Sequence, residues 1–272
     1  MTLHRFSRTE LLIGKAAMER LRNSHVALFG LGGVGSYAAE ALCRSGIGHI
    51  TIVDFDDVCL TNLNRQLHAT EATVGKSKAA LMAARMRSIN PDAKIIAHKE
   101  FYSAENSDKL LTNHSYDYVL DAIDHITSKL HLLSTCHQQG IPVIASMGAA
   151  GKLDPTQIRI DDISCTNCCH MARSVRKLLK KRGISSGITT VYSTEKACLA
   201  KNSNTETIDE VCELHNPDDN CNPLLTTKQR ILGSCAHIPA IFGLTMAGWV
   251  VNELVKNTKV EIVDRLAKCT NN

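Results

Sequence analysis

The run of residues 26–36, VALFGLGGVGS, constrains the fold of this chain more than any other segment. Four apolar residues enter a turn whose glycines have the G-x-G-x-x-G spacing, and a helix-forming stretch follows. Gly30 permits the tight turn, Gly32 lets the backbone approach a phosphate, and Gly35 lets helix and strand pack closely. The pattern predicts a nucleotide phosphate at a helix N-terminus, where backbone amides and the helix dipole favour negative charge.

An acidic residue follows the next apolar run, as a nucleotide-binding fold requires. Asp54 closes residues 49–53 at the offset of a carboxylate that accepts hydrogen bonds from ribose hydroxyls. On these residues alone the direct interpretation is an NAD-dependent dehydrogenase. A glycine turn without a ligand is the bland alternative.

The polar loop of residues 54–66 fits a dehydrogenase badly, because a dinucleotide fold normally runs straight into its next helix there. Arg65 and Lys78 would neutralise charge on a triphosphate as pyrophosphate leaves. Asp124 ends the fourth predicted strand and would hold a magnesium ion that bridges phosphate oxygens. A solvated loop would explain any one of these residues. Together at one sheet edge they favour ATP as the nucleotide.

The hydrophobic pattern predicts the overall organisation. Predicted helices cover 10–21, 35–45, 76–89, 105–112 and 126–139, and predicted strands cover 25–30, 49–54, 93–98, 116–121 and 141–146. Beyond residue 151, strands at 157–160 and 189–193 flank a basic helix, and residues 201–229 have the composition of a mobile crossover loop. We expect an α/β fold, with a doubly wound, mostly parallel, Rossmann-like sheet in residues 1–155 and a smaller α+β C-terminal part in residues 156–272.

The basic helix contrasts with a mild net charge of +4. Residues 163–194 contain no acidic residue. Four cations fall at three-to-four spacing on one predicted helix face: Arg173, Arg176, Lys177 and Lys180. Such a stripe can contact nucleic-acid phosphates without reading sequence, and a solvated face is the alternative. Aromatic residues are only 4% of the chain, so widespread stacking on bases is not expected.

The chain has eleven cysteines, and nothing at its N-terminus is a secretory signal, so we expect reduced thiols and a cytoplasmic protein. Cys165 and Cys168 have the spacing of a zinc knuckle, but no second C-x-x-C pair accompanies them. Four further cysteines could complete a tetrahedral set: Cys198, Cys212, Cys221 and Cys235. Structural zinc is therefore weighed but not favoured. A covalent thiol, if one acts, would be Cys165, Cys168, Cys198 or Cys235.

Residues 236–251 form the only segment apolar enough to suggest a membrane. The segment is shorter than the roughly 20 residues that span a bilayer, contains His237 and ends at two polar residues. We expect a buried or dimer-interface helix and no integral membrane insertion. Peripheral membrane association stays open.

Over residues 5–162 the chain resembles the ubiquitin-activating-enzyme-like superfamily of ATP-dependent adenylating enzymes. The resemblance implies contacts with ATP from the turn (Gly32, Gly33), from acids beside the ribose (Asp54, with Asp56 in the same loop) and from residues on the phosphates (Asn62, Arg65, Gln66 and Lys78). It implies Mg²⁺ at Asp124. It also implies a homodimer in which Arg8 enters the partner's site.

Within that superfamily the chain is most similar to the tRNA threonylcarbamoyladenosine dehydratases. Shared motifs lie at residues 5–14, 56–59, 64–66, 121–124 and 148–156. The resemblance implies tRNA as substrate, with ATP activating the carboxylate of the modified adenosine at tRNA position 37 before an internal cyclisation expels water. Proximity within the modified base makes a covalent enzyme intermediate unnecessary.

One alternative stays within the superfamily. It is an adenylyltransferase that activates the C-terminus of a ubiquitin-like sulfur-carrier protein for molybdopterin or thiamine synthesis, and a reactive cysteine would matter to it. A cysteine-desulfurase or sulfur-acceptor system stays open as a further partner.

Overall fold

The computed structural model describes residues 3–112, 115–198 and 233–258. Its centre is a seven-stranded sheet in the order β3-β2-β1-β4-β5-β7-β6. The strands are β1 His25–Phe29, β2 His49–Val53, β3 Lys94–His98, β4 Tyr118–Asp121, β5 Val143–Ser146, β6 Ile158–Asp162 and β7 Thr189–Ser193. Neighbouring strands are parallel except at the edge, where β6 runs antiparallel to β7. The predicted doubly wound, mostly parallel sheet is confirmed.

Within the described residues, six α-helices cover the sheet. They are α1 Ser7–Arg22, α2 Gly35–Arg44, α3 Lys78–Ile89, α4 Ile126–Gln139, α5 His170–Lys180 and α6 His237–Val255. Helices α1, α2, α3 and α6 share one hydrophobic core, and α4 and α5 share the other. Strand β1 supplies both, because Val26 and Leu28 point into the first core and Ala27 and Phe29 into the second.

The register places the ends of three strands at one level. Phe29 pairs with Val53 on one side and with Asp121 on the other. The turns that follow β1, β2 and β4 therefore emerge side by side at the carboxyl edge of the sheet. In open α/β sheets this edge is where ligands bind.

Helix α6 buries one face in the hydrophobic core, which is one of the two placements predicted for it. A Cβ atom on Gly243 would lie 2.2 Å from the Val34 carbonyl oxygen, so α6 approaches the start of α2 closely. Phe242, Met246 and Val250 are fully buried. Among the described helices α6 alone is long and apolar enough to cross a membrane, and half of that stretch is buried within the protein.

Two predicted elements differ from the structure. Residues 105–112 give a π-helical turn, Asp108–Thr112, in place of an α-helix, and the Leu110 carbonyl oxygen accepts a hydrogen bond from the Tyr116 hydroxyl (3.1 Å). Helix α1 begins earlier than predicted and is kinked at Gly14, whose φ is +84°. The predicted crossover loop at residues 201–229 lies outside the described residues.

Strands β6 and β7 extend the same sheet beyond residue 155. The boundary at that residue stays a proposal that divides one fold into an ATP-binding part and a C-terminal part.

Candidate active site at the carboxyl edge of the sheet

The glycine turn after β1 is fixed by close backbone packing. Gly30 has φ +89°, and a Cβ on it would lie 2.7 Å from the Ala122 carbonyl oxygen. A Cβ on Gly35 would lie 1.8 Å from the Gly30 carbonyl oxygen. At Gly32 a Cβ would meet only the Gln66 Nε2 atom, at 4.0 Å. Packing therefore demands glycine at 30 and 35, whereas the space above Gly32 is open to a ligand.

Asp54 is fastened between this turn and the following loop. Its Oδ2 accepts a hydrogen bond from the Leu31 amide (2.5 Å), and its Oδ1 accepts one from the Asp56 amide (2.9 Å). Burial raises the pKa of Asp54, while the nearby charge of Lys78 acts in the opposite direction. The carboxylate is preset at the end of β2.

Lys78 lies at the first position of α3 and is only 5% exposed. Its Nζ is 2.8 Å from Asp56 Oδ2, and the Ser77 hydroxyl caps the helix by accepting from the Ala80 amide (3.3 Å). The positive end of a helix dipole disfavours a cation, so the ammonium here needs an anionic partner. Asp56 supplies that charge in this structure, and a phosphate can supply it equally well.

The loop between Asp56 and α3 carries the other polar candidates. Asn62 is buried, and its Oδ1 accepts from the Cys59 amide (3.0 Å). The Arg65 Nη1 donates to the Thr61 carbonyl oxygen (2.8 Å). Gln66 is 6% exposed, and its Oε1 has no hydrogen-bond partner within the described part of the chain.

The start of α6 closes one side of this loop. A Cβ on Gly33 would lie 3.0 Å from the Pro239 Cβ and 3.3 Å from the Arg65 Cγ. The Asn64 Nδ2 donates to the Ser234 carbonyl oxygen (2.9 Å). The glycine turn, the polar loop and the residues before α6 therefore meet at one place, a contact that strand and helix patterns could not reveal.

Asp124 is exposed in the turn that follows β4. Below it lies an ion pair that the sequence interpretation missed: Lys129 Nζ is 2.6 Å from Asp121 Oδ2, and both side chains are fully buried. Burial raises the pKa of Asp121, and the Lys129 charge opposes that shift. A lysine inside the apolar stretch of α4 is the sequence signal that could have indicated this ion pair.

The loop of residues 148–156 follows β5. Both carboxylate oxygens of Glu195 accept from the Leu153 amide (3.1 and 3.0 Å), and Oε2 also accepts from the Asp154 amide (3.0 Å). These backbone hydrogen bonds lower the pKa of Glu195. The Gly151 amide donates to the Gly233 carbonyl oxygen (2.8 Å). Glu195 and Gly233 therefore hold the loop from two sides.

Helix α5 begins against the same loop. A Cβ on Gly148 would lie 3.7 Å from the Cys169 Sγ and 3.7 Å from the Met171 Cβ. The predicted basic helix therefore starts beside the site and leads away from it.

The basic helix presents three of its four predicted cations to solvent. Arg173, Lys177 and Lys180 are exposed. Arg176 is half-buried, and its Nη1 donates to the carbonyl oxygens of Thr166 (2.8 Å) and Ile163 (3.3 Å). Its guanidinium therefore fastens the preceding loop to the helix.

A cluster of three cysteines, Cys165, Cys168 and Cys169, immediately precedes α5. Cys165 and Cys168 are exposed, and the buried Cys169 caps α5 through its Sγ, which accepts from the Ala172 amide (3.5 Å). Within residues 3–112, 115–198 and 233–258, no three His, Cys, Asp or Glu side chains are grouped to hold a metal ion. Cys212 and Cys221 lie outside the described residues.

A family model described as the ThiF family matches residues 6–272. The tRNA threonylcarbamoyladenosine dehydratase of Bacillus subtilis is 43% identical over 96% of this chain and 98% of its own length. The crystal structure of the E. coli dehydratase TcdA in complex with ATP has 33% identity and a TM-score of 0.77, covering 93% of this chain and 94% of that one. The adenylyltransferase and sulfurtransferase MOCS3 of Drosophila willistoni is 33% identical over 55% of this chain and 32% of its own length.

The Bacillus subtilis dehydratase and the E. coli TcdA structure thus cover more than nine tenths of this chain, whereas the Drosophila willistoni sulfurtransferase covers little more than half. The chain belongs to the ThiF family.

Proposed function

We propose that the protein is an ATP-dependent tRNA threonylcarbamoyladenosine dehydratase. The observation that carries this is the 43% identity with the Bacillus subtilis dehydratase across 96% of the chain. The geometry agrees, because an open glycine turn, a buried lysine at a helix N-terminus and an exposed aspartate share the carboxyl edge of one sheet.

ATP fits the turn and the polar loop. Its phosphates would lie over Gly32, where the backbone is accessible, with Arg65 and Lys78 neutralising their charge. Asn62 and the unpartnered Oε1 of Gln66 line the same side. The ribose would meet the carboxylate of Asp54.

Magnesium fits the exposed carboxylate of Asp124, since oxygen ligands are the ones that Mg²⁺ prefers. Mg²⁺ typically keeps several waters and is bound through one or two carboxylates together with phosphates, so a single aspartate at this edge is enough for the protein's share. The ion would supply neutralisation of charge on the phosphates.

The chemistry follows from the substrate. The carboxylate of the threonylcarbamoyl group attacks the α-phosphorus of ATP, a P–O bond breaks, and pyrophosphate leaves. An internal nucleophile of the same modified base then attacks the activated carbonyl, gives up its proton, and expels AMP together with the former carboxylate oxygen. Arg65 and Lys78 stabilise the charge that develops on the phosphates in the first step. The second step gains its rate from proximity.

The tRNA would approach along α5. Arg173, Lys177 and Lys180 present positive charge to solvent, and the helix begins beside the loop of residues 148–156. Contacts with phosphates position the substrate without reading sequence. Arg176 would contribute by holding the Ile163–Thr166 loop. A tRNA substrate implies a cytoplasmic reaction.

The N-terminal helix is the proposed dimer contact. Arg8 is exposed at its start, and three leucines nearby are largely exposed: Leu3 (87%), Leu11 (73%) and Leu12 (77%). Exposed apolar side chains of this kind mark an interaction surface. In a homodimer Arg8 would complete the partner's site, so a monomer would be nearly inactive.

The test is mass spectrometry of tRNA nucleosides after incubation with enzyme, Mg²⁺ and ATP. We expect threonylcarbamoyladenosine to lose the mass of one water, with AMP and pyrophosphate released in equal amounts. Asp124→Ala should abolish the conversion. Asp92→Ala, which changes a carboxylate just before β3 at the opposite edge of the sheet, should leave it intact, since the Asp92 side chain is 78% exposed.

The alternative function, activation of a sulfur-carrier protein, predicts that pyrophosphate release depends on a different substrate. If pyrophosphate release required a small carrier protein with a C-terminal Gly-Gly and ignored tRNA, the chain would be a sulfur-carrier activator. Serine at one of the four candidate thiols, Cys165, Cys168, Cys198 or Cys235, would then block transfer, whereas the dehydratase retains its activity in all four variants. Stimulation by a cysteine desulfurase, measured in the same assay, checks the proposed sulfur partner.

A further inference from the structure

Asp121 and Lys129 form a buried ion pair, and contact with a substrate does not explain its presence. Asp121 ends β4, Lys129 lies in the first turn of α4, and both side chains have no solvent exposure. Removing two charges from water is costly, and apolar residues of similar size would often serve stability as well. A pair retained at such a position calls for a role other than stability.

Each member of the pair makes a second contact, and each contact is to a turn at the active edge. The Asp121 Oδ1 accepts from the Ile123 amide (3.0 Å), in the turn that carries Asp124. The Lys129 Nζ donates to the Ser146 carbonyl oxygen (3.0 Å), at the end of β5 and just before the loop of residues 148–156. The pair therefore connects the turn that carries Asp124 with the loop of residues 148–156, beside which α5 begins.

The turn after β4 is also confined from its other side. The Ala122 amide donates to the Phe29 carbonyl oxygen (2.8 Å), and a Cβ on Gly30 would lie 2.7 Å from the Ala122 carbonyl oxygen. Backbone packing thus sets where the turn begins. The Asp121 carboxylate sets its direction one residue before Asp124.

We propose that Asp121 and Lys129 are positioning residues for the reaction: the Asp121 carboxylate orients the turn that presents Asp124, and Lys129 holds that carboxylate in place. The inference rests on the proposed role of Asp124 in binding Mg²⁺ and ATP. It adds two residues that touch neither nucleotide nor substrate.

The experiment compares two double variants that both remove the buried charges. Asp121→Asn/Lys129→Met retains an oxygen that accepts from the Ile123 amide, and Asp121→Leu/Lys129→Met does not. Neither leaves an uncompensated buried charge, so both should fold. Asp121→Val/Lys129→Met supplies a second variant without the acceptor if the leucine variant fails to fold.

Two measurements are needed. The first is thermal unfolding without ligand, where the two double variants should agree closely. The second is binding of ATP in the presence of Mg²⁺ by calorimetry without tRNA, followed by turnover with tRNA. We expect the variant without the acceptor to bind Mg·ATP about tenfold more weakly and to lose on the order of a hundredfold in kcat, because a misplacement of about 1 Å is worth that much. The asparagine variant keeps the acceptor but lacks the lysine that holds it, so it should lose about threefold in both, roughly half of one tenfold step in free energy.

Equal Mg·ATP affinity and equal turnover in the two double variants would overturn the inference. A loss that followed the fraction of unfolded protein would also overturn it, since the role would then be structural. The calorimetry needs no tRNA, so failure of the dehydration reaction itself would count against the proposed function and leave this comparison interpretable.

Discussion

The two halves of the carboxyl edge are held together by different kinds of contact. In the nucleotide half, formed by the turns after β1, β2 and β4, carboxylates bind backbone amides at the strand ends. Some of these amides lie two residues away, as for Asp54 with Asp56 and Asp121 with Ile123, and one lies on the neighbouring turn, where Asp54 accepts from Leu31. In the substrate half, formed by the loop of residues 148–156 and α5, the contacts are long-range. Glu195 holds the Leu153 amide from 42 residues away.

Each half gets its shape from different partners. The nucleotide half consists of short turns that bind their own backbone and that of the neighbouring strand ends, so a single substitution there should act on one or two turns. The substrate half takes its shape from distant partners, so its substitutions should act through packing before they act on chemistry.

The largest effect is expected at the glycine turn. Gly35→Ala places a Cβ 1.8 Å from the Gly30 carbonyl oxygen, which forces the backbone to move. We expect a loss of about 3 kcal/mol or more in the free energy of unfolding and a fall in melting temperature on the order of 10 °C, measured by calorimetry.

Gly32→Ala is the matched control, because its Cβ would meet only the Gln66 Nε2 atom at 4.0 Å. This variant should melt close to wild type yet bind ATP more weakly, since the methyl group occupies the open space proposed for a phosphate. A Gly35→Ala protein as stable as the Gly32→Ala protein would contradict the account of the turn.

The next effect is expected at Lys78. Lys78→Met removes the buried ammonium and leaves Asp56, whose side chain is 43% exposed and stays hydrated. We expect pyrophosphate release per folded molecule to fall about 10²–10³-fold, the usual loss when one group that stabilises a transition state is removed. The melting temperature should fall as well, because the buried Asp54 loses the positive charge that opposes its desolvation. The exposed Lys76→Met is the control and should retain wild-type turnover. Near-normal ATP turnover in Lys78→Met would remove this lysine from the proposed mechanism.

The sequence predicted the positions of the nucleotide half because they follow from glycine spacing and from the ends of strands. The spacing of the glycines and the acid after the second strand place Gly30, Gly35 and Asp54 where the register of β1 and β2 puts them. A strand followed by a polar residue was enough to bring Asp54 and Asp124 to one edge. Their roles toward ATP and Mg²⁺ remain predictions.

The substrate half could be predicted only in part. Helix α5 was predicted, yet helical spacing could not show that Arg176 turns inward to Thr166, because that partner lies in an irregular loop. The contacts of Glu195 with the Leu153 and Asp154 amides join different elements, so no periodicity indicates them. Long-range polar contacts depend on the finished fold and not on local propensity.

The buried imidazole of His68 should make the free energy of unfolding depend on pH. His68 is 6% exposed, and neither ring nitrogen has a partner among the described residues. Burial, followed by the charge of Lys78, lowers the pKa of His68 to about 4. The unfolded chain binds this proton near pH 6.5 and the folded chain does not. Stability should therefore fall as pH drops from about 6.5 toward 4, by up to about 3 kcal/mol.

The measurement is urea unfolding at several values of pH across that window. His68→Gln should be less sensitive to pH by as much as one bound proton, whereas His49→Gln, which changes an exposed histidine at the opposite edge of the sheet, should match wild type. An identical slope in wild type and His68→Gln would show that the imidazole is not kept neutral by burial.

The smallest effect is expected in α5, where two neighbouring cations should behave oppositely. Arg176 donates to the carbonyl oxygens of Thr166 and Ile163, so Arg176→Ala should cost about 1–2 kcal/mol of unfolding free energy. Lys177 is exposed, so Lys177→Ala should change stability by less than about 0.5 kcal/mol.

Binding of tRNA measured over a range of salt concentrations gives the complementary result. A lysine that neutralises one phosphate releases close to one counterion, so Lys177→Ala should reduce the slope of log affinity against log salt by about 1. Arg176→Ala should leave that slope nearly unchanged while lowering affinity through the displaced Ile163–Thr166 loop. If Arg176→Ala instead lowered the slope as Lys177→Ala does, the guanidinium would have to leave its two carbonyl partners to reach the tRNA. The substrate half would then rearrange on binding, in contrast to a nucleotide half whose turns are already fixed by neighbouring backbone.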